Sequence, residues 1–350
     1  MTNIDKYILL LFSEQPIKLT TLKNILLGRR TSSNLFLALI HKNLRLLKIF
    51  MTLPYCDLNL FKQRVILLKN NDYLKKTSSG YYFLSKKGIY YKNIFSKKIP
   101  LPLHYDGKWM TNFMFMKKTI ILCVQVISNF LNNNNNYIPQ IQDLKVQLNF
   151  KNKLKKASLI NNWQYIFINE LKYIFNKLPL KYSNLLANRF SGYNVNGIPI
   201  MQLSSLLSLS KEETYFMEID AWSYFFEIYK LYRSKFRIIS LFLPQINYLS
   251  PNVQDTVNQI LKLHLSLGEI CYRKKIKEST VYDHILKAEI IQPFLFKNVY
   301  FNSVYNRQKL QNEWNNNKLL NYNNLLNNGL SFFQIRFFHI KRIYDEFYKY

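Results

Sequence analysis

The sequence predicts a mainly α-helical chain, and three observations carry that prediction. Apolar residues recur every three or four positions through most of the 350 residues, which is the spacing of one face of a helix. Helix-start signatures precede several of these stripes, among them Thr20-Thr21, Ser250-Pro251, and Ser266 with Glu269 three positions on. Strand-like sequence bounded by turn residues is concentrated in one short stretch, residues 73–85. A 48% hydrophobic share with 26 Tyr and 26 Phe supplies real cores. At roughly 150 residues per domain the length suits two or three of them.

Residues 4–12 have the apolar density of a buried helix, and Thr20-Thr21 opens a second one, carrying Leu22, Ile25 and Leu26, that ends at Gly28. A third is expected over 32–50 on Leu35, Leu39, Leu46 and Ile49, with Pro54 closing the connection after it. Asp57 suits the N-cap of a helix that gathers Leu58, Phe61, Val65 and Leu68 on one face. Then come Tyr73-Leu74-Lys75-Lys76, a Ser78-Ser79-Gly80 turn, Tyr81-Tyr82-Phe83-Leu84-Ser85 and a second turn at Lys86-Lys87-Gly88. A helix followed by such a hairpin is the order of a recognition helix and its wing, so residues 1–95 are expected to form a winged-helix-like domain. Lys75, Lys76, Lys86 and Lys87 flank Tyr81 and Tyr82 and would suit phosphates and base stacking. A solvated charge run over tyrosines that face the core fits the same residues equally well.

Pro100, Pro102 and the polar run 104–108 mark a linker, and a helical middle domain is expected over 109–247. Its first helix, 110–130, is apolar nearly all round and ends at the asparagine tract 132–136. Further helices are expected at 137–149, 158–177, 180–190, 200–209 and 211–233. Gly192 and Gly197 bracket a loop that is no phosphate cradle, since no Lys-Ser or Lys-Thr follows it. Glu213, Asp220 and Glu227 recur every seven residues, which a helix would bring to one face. A solvated stripe is the expectation there over a metal-dependent nuclease, because no histidine or second carboxylate cluster keeps register with them.

Ser250-Pro251 starts a helix whose stripe is Val253, Val257, Ile260, Leu261 and His264. Ser266 and Glu269 form the pattern of a capping box for a short helix running to Arg273. After Lys274-Lys275-Ile276-Lys277 a third helix begins at Glu278, with Val281, Ile285 and Leu286 inward and Ser279, Thr280, Tyr282, Asp283 and His284 outward. This is the pattern of a helix-turn-helix, and a domain of that type is expected over 248–350. The candidate nucleic-acid contacts are Arg273, Lys274, Lys275, Lys277, Ser279, Thr280, Tyr282 and His284, with the basic turn on phosphates. Glu278 and Asp283 oppose entry of the third helix into a groove, because they repel phosphate.

Leu267-Gly268-Glu269-Ile270, Ile276-Lys277-Glu278-Ser279-Thr280-Val281 and His284-Ile285 resemble the helicase helix-turn-helix domain at the end of YpbB-type proteins of low-GC Gram-positive bacteria. Thr21-Leu22-Lys23-Asn24-Ile25-Leu26-Leu27-Gly28-Arg29-Arg30-Thr31-Ser32-Ser33 is similar to that family's N-terminal signature, and the stretch from Gly192 to Gly197 and Gln334-Ile335-Arg336 to its later blocks. Cys271 stands where the family often has alanine, a small and compatible replacement. The resemblance spans nearly the whole chain and implies association with RecQ-family DNA helicases. It implies no helicase activity, and the sequence has no GxxxxGK[ST] loop, so ATP-driven work falls to a partner.

Lys and Arg number 49 against 20 Asp and Glu, a net charge of +29 that draws polyanions. A/T-rich codon usage would produce the same kind of excess, so its sign is more informative than its size. Three scattered cysteines and five scattered histidines predict reduced thiols and neither metal nor cofactor. No signal-peptide pattern opens the chain, and its apolar runs are shorter than a membrane span, which predicts a cytoplasmic protein without membrane contact. The function expected is a non-enzymatic DNA-binding accessory acting with a RecQ-family helicase in replication, recombination or repair. The alternatives are a winged-helix transcription regulator and a protein-interaction scaffold.

Overall fold

The mainly helical expectation holds. The computed structural model describes residues 1–41, 58–98, 102–107, 112–244, 248–296, 304–317 and 320–347, and among them are eighteen α-helices and three short strands. The chain divides into two units, each drawn from two separate stretches: residues 1–18 with 55–247, and residues 19–54 with 248–350. The first four elements, α1 (Asn3–Leu10), β1 (Ile17–Lys18), α2 (Leu19–Leu26) and α3 (Ser32–Ile40), are shared out, with α1 and β1 in the first unit and α2 and α3 in the second. The expected continuation of α3 to residue 50, together with Pro54, Cys56 and the Asp57 cap, lies outside the described residues, as does Trp109.

In the first unit Thr2 and Asp5 close a capping box at the start of α1, which packs against α4 (Leu58–Asn70) and, further along the chain, α5 (Lys86–Lys98). The predicted hairpin is present as β2 (Leu74–Lys76) and β3 (Tyr81–Leu84). A strand the sequence did not announce, β1, pairs antiparallel on the other side of β3 with Ile17 opposite Tyr82, giving the order β1-β3-β2. Two residues are too few to show alternation. The second expected turn is instead the first turn of α5: Ser85 Oγ accepts the Gly88 N–H at 3.0 Å, as an N-cap does. Gly88 is required because a Cβ there would overlap the Tyr73 carbonyl oxygen.

The rest of this unit is α6 (Phe113–Leu131), α7 (Leu144–Ala157), α8 (Trp163–Lys177), α9 (Leu180–Ala187), α10 (Ile200–Leu206), α11 (Lys211–Leu231) and α12 (Ile239–Phe242). Their core surrounds Trp222, Phe225, Phe226 and Tyr229 of α11, all fully buried. The helix expected at 137–149 begins seven residues later, since Asp143 caps the N–H groups of Lys145 and Val146. Among the described residues α6 is long and apolar enough to cross a membrane, with a mean hydropathy of 1.4. Half of that stretch is buried in the core, and Lys117 upon it pairs with buried Glu218 at 3.1 Å.

The second unit combines α2 and α3 with α13 (Pro251–Leu261), α14 (Leu267–Lys274), α15 (Glu278–Ile291), α16 (Val304–Asn317), α17 (Tyr322–Asn327) and α18 (Phe332–Phe347). The centre is α15, which contacts α3, α13, α14 and α18 and buries Val281, Ile285, Leu286, Ala288, Ile290 and Ile291. That contact explains why residues 19–40 leave the hairpin behind: the apolar side chains of α3, Leu35, Phe36 and Leu39, are buried in this unit. Arg30 of the resembling N-terminal signature ties the two stretches together, donating from Nη1 to the Tyr248 carbonyl at 3.2 Å.

Candidate nucleic-acid interface

Three helices, α13, α14 and α15, present the predicted basic segment. Ser266 and Glu269 form the expected capping box at α14, with the Ser266 N–H donating to the Glu269 carboxylate at 2.7 Å. The hydrogen bonds from Ser266 hold the Glu269 carboxyl below the usual carboxylate range. The helix ends at Lys275 in the left-handed region, φ 51°, where the Ile276 N–H returns to the Cys271 carbonyl at 3.2 Å. Three residues later, at Glu278, α15 begins. The tight turn therefore throws out the side chains of Tyr272, Arg273, Lys275 and Lys277, all exposed.

These residues surround a concavity of about 670 Å³ lined by Cys271, Tyr272, Arg273, Lys275, Ile276 and Lys277. Arg273, Lys275 and Lys277 enter no ion pair among the described residues. Tyr272 is 86% exposed, a large ring offered to solvent beside them. Three unpaired cations around one recess hold a positive potential that a phosphate would neutralise.

The remaining candidates sit differently. Lys274 is turned into the protein, where Nζ pairs with Asp255 at 2.7 Å and donates to Thr256 Oγ1 at 2.9 Å. That ammonium lowers the Asp255 carboxyl. Thr256 gives its own proton to the Asn252 carbonyl at 3.0 Å, so it also accepts from His284 Nδ1 at 2.8 Å. Burial, then Lys287 and Lys274, push the His284 pKa down. Lys274 and His284 are therefore internal ties among α13, α14 and α15. Tyr282, expected outward, stacks on Phe333 with ring centres 4.3 Å apart and donates its hydroxyl to Glu278 at 2.5 Å. The Glu278 carboxylate pushes the Tyr282 phenol up to about 12. Asp283 pairs with Lys287. Of the outward set on α15, Ser279 is exposed and Thr280 half-buried.

In the first unit Lys75 and Lys76 of the hairpin and Lys86 and Lys87 at the start of α5 are all exposed. Lys76 lies over the Tyr82 ring at 5.5 Å, and Lys18 of β1, which sequence reasoning passed over, lies over Tyr81 at 5.1 Å. Lys87 sits 4.5 Å from the Tyr73 ring centre and donates to the Asn71 carbonyl at 3.0 Å. Tyr82 is buried and Tyr81 half-buried, so neither offers an open face for a base. The hairpin provides charge without a stacking platform.

The heptad of acids on α11 proves structural. Glu213 closes a capping box with Ser210. Asp220 accepts the N–H groups of His104 and Tyr105 at 2.6 and 3.2 Å and the Tyr182 hydroxyl at 2.6 Å. Glu227 meets His104 Nδ1 at 2.9 Å. Asp220 and Glu227 fix the segment 102–107 on α11 and Glu213 caps that helix, which the solvated-stripe expectation did not foresee. Among the described residues no group of three potential ligands is placed to hold a metal. Comparison of the chain with protein-family models, curated proteins and solved structures finds no match in any of the three.

Proposed function

We propose that this chain is a DNA-binding protein that grips backbone phosphates through the turn between α14 and α15, working as a helix-turn-helix without strong sequence preference. The observation that carries the reading is the cluster of Arg273, Lys275 and Lys277, exposed and unpaired around one recess. Sequence-blind binding follows from α15. Groove readers use side chains along that helix. Here Tyr282, Asp283 and His284 are engaged by Phe333 and Glu278, by Lys287 and by Thr256. Phosphate contacts position a protein but carry no sequence information.

This reading favours the accessory over the transcription regulator. The resemblance to YpbB-type proteins adds a RecQ-type helicase as the partner to seek by co-purification from nuclease-treated extract. Affinities for several unrelated duplexes, measured at one salt concentration, separate the two functions. An accessory should bind them within about tenfold of one another, whereas a regulator should prefer one site by about a thousandfold or more.

A further inference from the structure

A second feature of the same unit lies on α18, inside the resembling block Gln334-Ile335-Arg336. The Arg336 guanidinium is centred 3.7 Å from the Phe36 ring, 4.8 Å from Phe332 and 5.0 Å from Tyr322. Its Nε is buried without a hydrogen-bond partner, and among the described residues it forms no ion pair. A partly buried cation with no counter-charge is costly, and rings recover only part of the cost. Its titratable neighbours give it nothing anionic: the Tyr322 phenol is pushed up to about 12 by burial, and His339 is pushed down to about 4, so both are neutral at pH 7. Phe332 remains 50% exposed, an open aromatic ring beside the cation.

We propose that Arg336 and Phe332 form a site for one nucleotide of a single strand, the phosphate meeting the guanidinium and the base stacking on Phe332. Both halves of the ligand are needed to meet an anion-seeking guanidinium and an open ring about 5 Å apart. The inference extends the DNA reading above but uses different residues. A protein with both sites would hold duplex at the α14–α15 turn and unpaired strand on α18.

The test measures binding of the full chain to a short labelled oligothymidylate and to a duplex of equal length, over a range of salt. Phe332→Ala, on a half-exposed ring, should weaken single-strand binding about tenfold, equal to ~1.4 kcal/mol, and leave duplex binding unchanged. Arg336→Gln should lower the single-strand salt slope by about 0.7. The double variant Lys275→Ala, Lys277→Ala should weaken duplex binding instead, so failure of the turn and failure of this site are read separately. Single-strand affinity within about twofold of the parent in Phe332→Ala, or no oligothymidylate binding by the parent at low salt, would overturn the proposal. Displacement of the oligothymidylate by a phosphotyrosine peptide at lower concentration than by thymidine monophosphate would overturn it too, and would identify a protein ligand. Should Arg336→Gln fail to fold, Phe332→Ala decides alone.

Discussion

Lys275 concentrates the trade between folding and binding on one side chain. Its φ of 51° is one that a residue bearing a Cβ adopts at a cost of about 1 kcal/mol and that glycine adopts freely. Lys275→Gly is expected to raise stability by about 1 kcal/mol in chemical denaturation and at the same time to weaken duplex binding. A variant that loses stability, or binds as before, would show that the lysine stands there for packing. Ser266 provides the converse. Ser266→Ala removes the cap of α14 and should cost about 1 kcal/mol without changing affinity at saturation. The basic residues could be counted in the sequence, but their roles could not. Lys274 and Lys275 are neighbours of one type, and what separates them is Asp255, nineteen positions before Lys274 and visible as its partner only once α13 and α14 pack.

Helices with strong local signals are the ones the sequence places well. The third helix of the basic segment starts at Glu278 as expected, and the expected capping box at Ser266 is present. Elements defined by distant partners escape it. The strand β1 exists because β3 offers an edge, and Glu170 acts from α8 as the cap of a helix some seventy residues on. Its carboxylate accepts the N–H groups of Arg237, Ile238 and Ile239, at 2.5 Å from Arg237. Glu170→Ala should cost about 3 kcal/mol, since it strands three N–H donors, of which those of Ile238 and Ile239 are buried. The helices α16, α17 and α18 enclose His339, which lies 5.4 Å from the Trp314 ring and 3.2 Å from the Tyr322 hydroxyl. Burial lowers its pKa from 6.5 to about 4. The unfolded chain therefore binds the extra proton first as pH falls, and stability that is complete above about pH 6.5 declines toward pH 4. His339→Phe should make that decline shallower, and an unchanged profile would place the acid sensitivity elsewhere.

The division of the chain was the least readable feature. Periodicity shows that residues 19–40 have an apolar face but says nothing about which helix receives it, and the receiver is α15, more than two hundred residues later. The net charge of +29 has the same ambiguity, because codon bias and phosphate binding both yield lysine. Salt dependence of duplex binding, parent against the triple variant Arg273→Ala, Lys275→Ala, Lys277→Ala, resolves it most directly. If the three side chains each neutralise a phosphate, the log–log slope of the variant should be shallower by about 2.7, at about 0.9 for each contact. Equal slopes in the two proteins would contradict phosphate binding at the turn and reduce the charge to composition.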